Sequence, residues 1–165
     1  MSNIKEIISN DNYLQLKKEI SKGIDLNQIV ENEDNENEEC LIFYALRKRC
    51  SFDTLKLMVE NGVDVNYTDK QGVGLLDEAI VSGNMEFIKY LLIDKNVDAS
   101  QTKRKSGLTP IIQATCYGNI ELVKLLIKYG GDLSVRDSMN LSAADYARKL
   151  QRKKMLQFLK GISNN

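Results

Sequence analysis

The chain has 165 residues, 42% of them hydrophobic and 28% charged, which excludes a disordered or low-complexity polymer and suffices for a packed core. Its 23 basic and 23 acidic residues cancel and histidine is absent. Zero net charge argues against a general nucleic-acid binder, and the missing imidazole excludes Ser-His-Asp and Cys-His catalysis and every His-ligated metal site.

From the N-terminus, Met1 to Glu6 shows no basic segment followed by an apolar stretch, and no apolar run reaches membrane-spanning length, so neither a secretory signal nor a membrane span is expected. A first unit, about 1–27, ends on Gly23-Ile24-Asp25-Leu26-Asn27. The run Glu31 to Glu39 follows, too charged to pack, and is expected to be an extended loop in place of a tight hairpin. It lacks the ligand order and central glycine of an EF-hand, so it is not read as a calcium site. A second unit, about 28–66, closes on Gly62-Val63-Asp64-Val65-Asn66, with one extra residue near Arg47-Lys48-Arg49-Cys50 that leaves its register uncertain by one.

The third unit, about 67–100, opens with the polar turn Asp69-Lys70-Gln71-Gly72 and contains Met85, Phe87, Ile88, Leu91 and Leu92 on one helical face. The fourth, about 101–134, has an extra residue in Lys103-Arg104-Lys105-Ser106, then Thr109-Pro110, a helix cap followed by a residue suited to the first helical position. Its second helix repeats the stripe with Ile120, Leu122, Val123, Leu125 and Leu126. Gly62 and Gly130 fall just past second helices, where a left-handed cap belongs, and Asn96 fills the same slot in the third unit. The fifth unit, about 135–160, reads as a cap: Met155, Leu156, Phe158 and Leu159 pack inward while Arg152, Lys153, Lys154 and Lys160 stay wet.

These units are copies. Gly83-Asn84 and Gly118-Asn119 open matching helices 35 residues apart, Asp64, Asp98 and Asp132 step by 34, and Ala45, Ala79, Ala114 and Ala147 step by 34, 35 and 33. A period near 34 is one supersecondary unit repeated. The segment Gly107-Leu108-Thr109-Pro110-Ile111-Ile112-Gln113-Ala114 resembles the ankyrin signature G-x-T-P-L-H-x-A, and Gly130-Gly131-Asp132-Leu133-Ser134 resembles the family's closing turn. The resemblance covers nearly the whole chain. It implies an all-α ankyrin-repeat solenoid of about five helix-turn-helix units with short β-hairpin-like turns, forming a single domain over 1–165. The signature histidine is replaced by Asp77, Asp145, Ile112 and either Phe43 or Tyr44, so polar bonding between units is expected to be thinner.

The resemblance also implies a non-catalytic module that binds a protein partner on a concave face, as adaptor, inhibitor or immunity-type regulator. The implied contact positions are Lys70, Gln71, Val73, Val81 and Ser82 in unit three; Lys105, Ser106, Leu108, Cys116 and Tyr117 in unit four; and Ser138, Met139, Leu141 and Lys149 in unit five. Tyr117 is the best single anchor, with Met139 and Leu108 expected to surround it with apolar surface. A monomer without cofactor or metal is expected. The alternatives are a secreted effector, a binder of nucleic acid or another acidic surface through the basic C-terminal end, or a small thiol-dependent enzyme.

Three features bear on those alternatives. Residues 1–40 carry four basic and ten acidic groups, and residues 101–165 carry twelve and four, so charge runs from acidic to basic along the chain. The clusters Arg47-Lys48-Arg49, Lys103-Arg104-Lys105 and Arg152-Lys153-Lys154 read first as solvated helix ends and turns, and second as contacts for an acidic protein. The three cysteines, Cys40, Cys50 and Cys116, form no C-x-x-C pair and have no activating histidine, so they read as inert thiols in a reducing, cytoplasmic compartment. Gly72-Val73-Gly74 lacks the lysine and third glycine of a phosphate loop, and Asp77 and Glu78, adjacent in sequence, face different ways on a helix and are no acid-base pair.

Overall fold

A computed structural model describes residues 3–32 and 37–163. In chain order it has α1 (Ile4–Ser9) and α2 (Tyr13–Ser21), then the strands β1 (Ile29–Asn32) and β2 (Asn37–Cys40). Four further helix pairs follow: α3 (Leu41–Arg47) with α4 (Phe52–Glu60), α5 (Leu75–Ser82) with α6 (Met85–Ile93), α7 (Pro110–Tyr117) with α8 (Ile120–Lys128), and α9 (Ala143–Lys149) with α10 (Lys153–Ser163).

Local chemistry sets where these helices start. Asn12, Ser51, Asn84 and Asn119 precede α2, α4, α6 and α8, and each side chain accepts a hydrogen bond from a backbone N–H in the first turn. Thr109 caps α7 in the same way, with Pro110 at the first helical position. Between first and second helices the chain turns through a left-handed residue: Arg49 (φ 57°), Gly83 (φ 71°), Gly118 (φ 74°) and Gln151 (φ 54°) hold the same slot in successive units. The extra residue of unit two is therefore Cys50, inserted after that slot, where its thiol donates to the Ile8 carbonyl of the preceding unit at 3.1 Å.

The first helices are buried almost all round. Leu41 to Leu46, Leu75 to Ile80 and Pro110 to Thr115 are all buried, because α1, α3, α5, α7 and α9 pack side by side in that order. The second helices bury one face each, led by Leu55 and Met58 in α4, Phe87 and Leu91 in α6, and Leu122 and Leu126 in α8. In the last unit Met155 and Leu159 of α10 are buried and Leu156 and Phe158 are half-buried, while Arg152, Lys153, Lys154 and Lys160 are exposed.

At the opposite end of the first helices the chain forms tips. The N–H groups of Gly72, Gly107 and Asn140 each close a turn on a carbonyl three residues back at 2.9 Å. Consecutive tips are joined by the backbone: Lys105 N–H donates to the Gln71 carbonyl (3.1 Å) and Ser138 N–H to the Ser106 carbonyl (2.9 Å). Among the side chains at the signature-histidine position, Phe43 is the one in unit two, packed edge-on to Tyr67 at 5.6 Å, and Ile112 is fully buried. Asp77 and Asp145 accept from the backbone N–H of Gly74 and Ser142, which cap their own helices.

One sequence expectation is corrected. The acidic run is in part a hairpin, not a loop: β1 and β2 pair antiparallel with Ile29 opposite Cys40, Val30 opposite Glu39 and Glu31 opposite Glu38. Residues 33–36 of the run lie outside the described residues. The charge that argued against pairing is managed on two faces: Val30 and Glu39 are buried, with Glu39 ion-paired to Arg47, while Glu31 and Glu38 face solvent.

The glycines at positive φ are not equivalent in cost. Gly23 (φ 84°) has open space where a Cβ would stand, whereas at Gly72 (φ 78°) a Cβ would collide with the Lys103 carbonyl of the next unit. Gly23→Ala is expected to cost about 1–2 kcal/mol from φ alone, and Gly72→Ala about 1–3 kcal/mol more from the displaced neighbour. Urea denaturation of both variants beside the parent checks this ordering.

Candidate functional site

The tips and the ends of the first helices line up from unit to unit, and none of the contact positions implied by the sequence is fully buried there. Lys70, Gln71, Lys105, Ser106, Ser138 and Met139 are exposed on the tips, with Val73, Leu108 and Leu141 half-buried behind them. Val81, Tyr117 and Lys149 are exposed at helix ends, and Ser82 and Cys116 are half-buried. The tips are held rigidly. Asp69 Oδ1 accepts from the N–H of Gln71 and Val73, and Asp137 Oδ1 accepts from Met139 and Leu141, all near 2.9 Å.

Tyr117 has different neighbours from those expected. Leu108 precedes α7 and Tyr117 ends it, so the rise of eight helical residues puts them roughly 12 Å apart along the axis. The apolar residue in Tyr117's register is Leu150, which is 46% exposed at the end of α9. Sequence reasoning omitted it, although the step from Ala147 to Leu150 equals that from Ala114 to Tyr117. Arg152 also lies here: its Nε donates to the Cys116 carbonyl at 3.2 Å and its side chain crosses above Gly118, a favourable place for a cation at a helix C-terminus.

Two of the three basic clusters are not solvated throughout. Arg47 reaches Glu39 at 2.7 Å and Glu78 at 3.1 Å, bridging β2, α3 and α5. Burial works against its charge, but Glu78 and Glu39 outweigh this and raise its pKa. Arg104 occupies the tip position held by Asp69 and Asp137 in the neighbouring units. It turns inward, with 12% side-chain exposure, to Asp77 (3.7 Å) and to Oε1 of Gln113 (3.2 Å). Asp77 and Glu78 thus each serve a different arginine. Burial raises the Asp77 pKa, against the opposing pull of Gly74 N–H and Arg104.

At the last unit, Tyr146 donates to Asp137 at 2.6 Å, and this bond pushes the phenol up to about 12. Burial opposes the Asp137 charge, but Tyr146 and the two tip N–H groups outweigh it and lower its pKa. Asp145 is lowered by Ser142, whose N–H and hydroxyl both donate to it, and by Arg148 and Arg136. These carboxylates are structural acceptors.

The cysteines lie in surroundings opposite to those of a nucleophile. Burial pushes the Cys40 thiol up to about 11 and the Cys50 thiol up to about 12. Burial also raises Cys116, with Arg152 pulling the other way. Among the described residues no group of three acidic or cysteine side chains is placed to hold a metal, and no helix is long and apolar enough to cross a membrane.

This arrangement of stacked helix pairs, joined tips and left-handed turns is matched by a family profile described as ankyrin repeats (3 copies) over residues 76–165 and by another, ankyrin repeats (many copies), over 42–92. The chain belongs to the ankyrin-repeat family. It is 33% identical over 113 residues to mouse ankyrin repeat and SAM domain-containing protein 6, covering 68% of this chain and 13% of that protein. It is 36% identical over 92 residues to the E3 ubiquitin-protein ligase hecd-1 of Caenorhabditis elegans, covering 55% and 3%. It is 26% identical over 129 residues to alpha-latrotoxin-Lg1a of Latrodectus geometricus, covering 78% and 9%. The chain thus spans less than a sixth of the length of these relatives. Ankyrin repeats are generally protein–protein interaction modules and are typically non-catalytic.

Two measurements probe this ankyrin surface. Arg47→Met strands Glu39 and Glu78 and is expected to destabilise the fold by about 2–3 kcal/mol, below the value for a fully buried pair because the guanidinium is 35% exposed. Chemical denaturation at neutral pH reads this directly. Labelling the native protein with a thiol reagent should modify Cys116 first, no faster than a free cysteine, and Cys40 and Cys50 only after denaturant is added.

Proposed function

We propose that this ankyrin-repeat chain is a non-catalytic binding module whose protein partner docks on the concave face formed by the tips and first helices. The observation that carries this reading is the distribution of exposed apolar side chains. Eight large ones are exposed among the described residues, and five of them (Ile29, Val81, Tyr117, Met139 and Leu150) lie on tips or at first-helix ends. An apolar row rimmed by polar tips is the ordinary composition of a protein interface.

On this reading the five helix pairs, over 1–165, act as one domain, and the protein works as a monomer that adapts, inhibits or neutralises its partner. Three free thiols, two of them buried, fit a reducing cytoplasmic compartment.

Affinity capture with the tagged protein, beside Tyr117→Ala, tests the reading. Tyr117 is 53% exposed, so its truncation should leave the thermal midpoint within experimental error. A partner recovered in stoichiometric amount by the parent is expected to bind the variant at least about tenfold more weakly. Equal affinity for both proteins would place the partner elsewhere and reject the concave-face reading.

A further inference from the structure

The zero net charge of the chain conceals an uneven partition that the fold creates. Residues 39–51, 66–83, 100–118 and 134–153 comprise the tips, the first helices and the turns that leave them. They carry twelve lysines and arginines against six carboxylates. The second helices and the turns after them, residues 52–65, 84–99, 119–133 and 154–163, carry seven against eight. The excess of positive charge is therefore confined to one side of units two to five.

All six carboxylates on that side are already engaged. Glu39 and Glu78 hold Arg47, and Asp77 faces Arg104. Asp69 and Asp137 accept tip N–H groups, and Asp145 accepts from Ser142, Arg136 and Arg148. By contrast Arg49, Lys70, Lys105, Lys149 and Lys153 are exposed and enter no ion pair with a described carboxylate. Arg152 is exposed too, with its guanidinium fixed over the end of α7 beside Tyr117.

These cations bracket the apolar row. Arg49 stands at the unit-two end; Val81, Tyr117 and Leu150 follow, one per unit; Lys149 and Arg152 close the unit-five end. With first helices packed roughly 8–10 Å apart, the row from Arg49 to Lys149 is roughly 25–30 Å long, the reach of about eight extended residues.

We propose that this face takes an extended acidic polypeptide segment, with apolar side chains on Val81, Tyr117 and Leu150 and carboxylates at Arg49 on one end and at Lys149 and Arg152 on the other. The inference rests on the concave-face reading above and adds the chemistry of the partner. A protein segment fits better than a nucleic acid because the apolar side chains Val81, Tyr117 and Leu150 interrupt the cations. Arg49 and Lys149 break no ion pair with a described carboxylate when they meet an acidic partner, and the contact is sensitive to salt.

The test is selection of dodecapeptides from a random display library against the full chain. The selected peptides are then titrated against the parent, Tyr117→Ala and the double variant Arg49→Ser/Lys149→Ser. Neither cation is in an ion pair with a described carboxylate and neither change adds a negative charge, so the charge variant should melt close to the parent. The expected pool is rich in Asp and Glu flanking an aromatic or aliphatic residue. Its members should bind at least about tenfold more weakly to Tyr117→Ala and to the charge variant, and more weakly as salt rises from about 0.05 M to about 0.5 M.

Peptides lost on Tyr117→Ala but indifferent to removal of the Arg49 and Lys149 charges would overturn the acidic-segment proposal while leaving the concave-face reading intact. Peptides indifferent to both changes would overturn both. A mixed-sequence single-stranded oligonucleotide that outcompetes every selected peptide at equal salt would reassign the cations to nucleic acid. An unenriched pool would overturn the proposal as well.

Discussion

Everything in this molecule depends on burying the first helix of each unit between two others. Helices of six to eleven residues do not hold themselves together in water. The α5 segment from Leu75 to Ile80 has no solvent-facing side chain because α3 and α7 flank it. A unit cannot do this alone, so the chain is stable only as a stack, and its two ends must differ from its middle. The last unit shows the consequence: α10 buries Met155 and Leu159 inward and turns Lys153, Lys154 and Lys160 to water.

Stacking also decides the electrostatics. Close packing of α3 on α5 brings Arg47 within reach of Glu78, and the β1–β2 hairpin brings Glu39 to its other side. The tip of unit four, which has Arg104 where its neighbours have an aspartate, is stitched to unit three through Asp77. Arg47–Glu78 and Arg104–Asp77 join adjacent units, Arg47–Glu39 ties the hairpin to the first helix of its own unit, and each withdraws a carboxylate from the surface. The tips and first-helix ends are left with cations such as Arg49, Lys105 and Lys149 that enter no ion pair with a described carboxylate, as a by-product of how the stack is held together.

Among the candidate site residues, the tip positions were legible because a glycine or asparagine marks each turn. The helix-end positions were legible wherever Ala-to-Gly spacing was regular. Leu150 escaped because Gln151, not glycine, occupies the left-handed slot after it, so the turn carries no glycine signal. The inward course of Arg104 was hidden for a related reason: it sits in a basic triplet, and composition alone makes such a triplet look solvated. The acidic hairpin was misread because pairing depends on where Glu39 points, and that depends on Arg47.

The sequence by itself determined the repeat, the helix starts and the left-handed turns that glycine or asparagine marks, because these follow from local rules: a side-chain cap, a residue tolerant of positive φ, and an apolar stripe at helical spacing. Only the tertiary structure decided which charges are spent inside the fold and which remain outside. Ion pairs such as Arg47–Glu78 and Arg104–Asp77 join residues 31 and 27 positions apart. Their existence depends on distances that arise only when one unit is laid against the next.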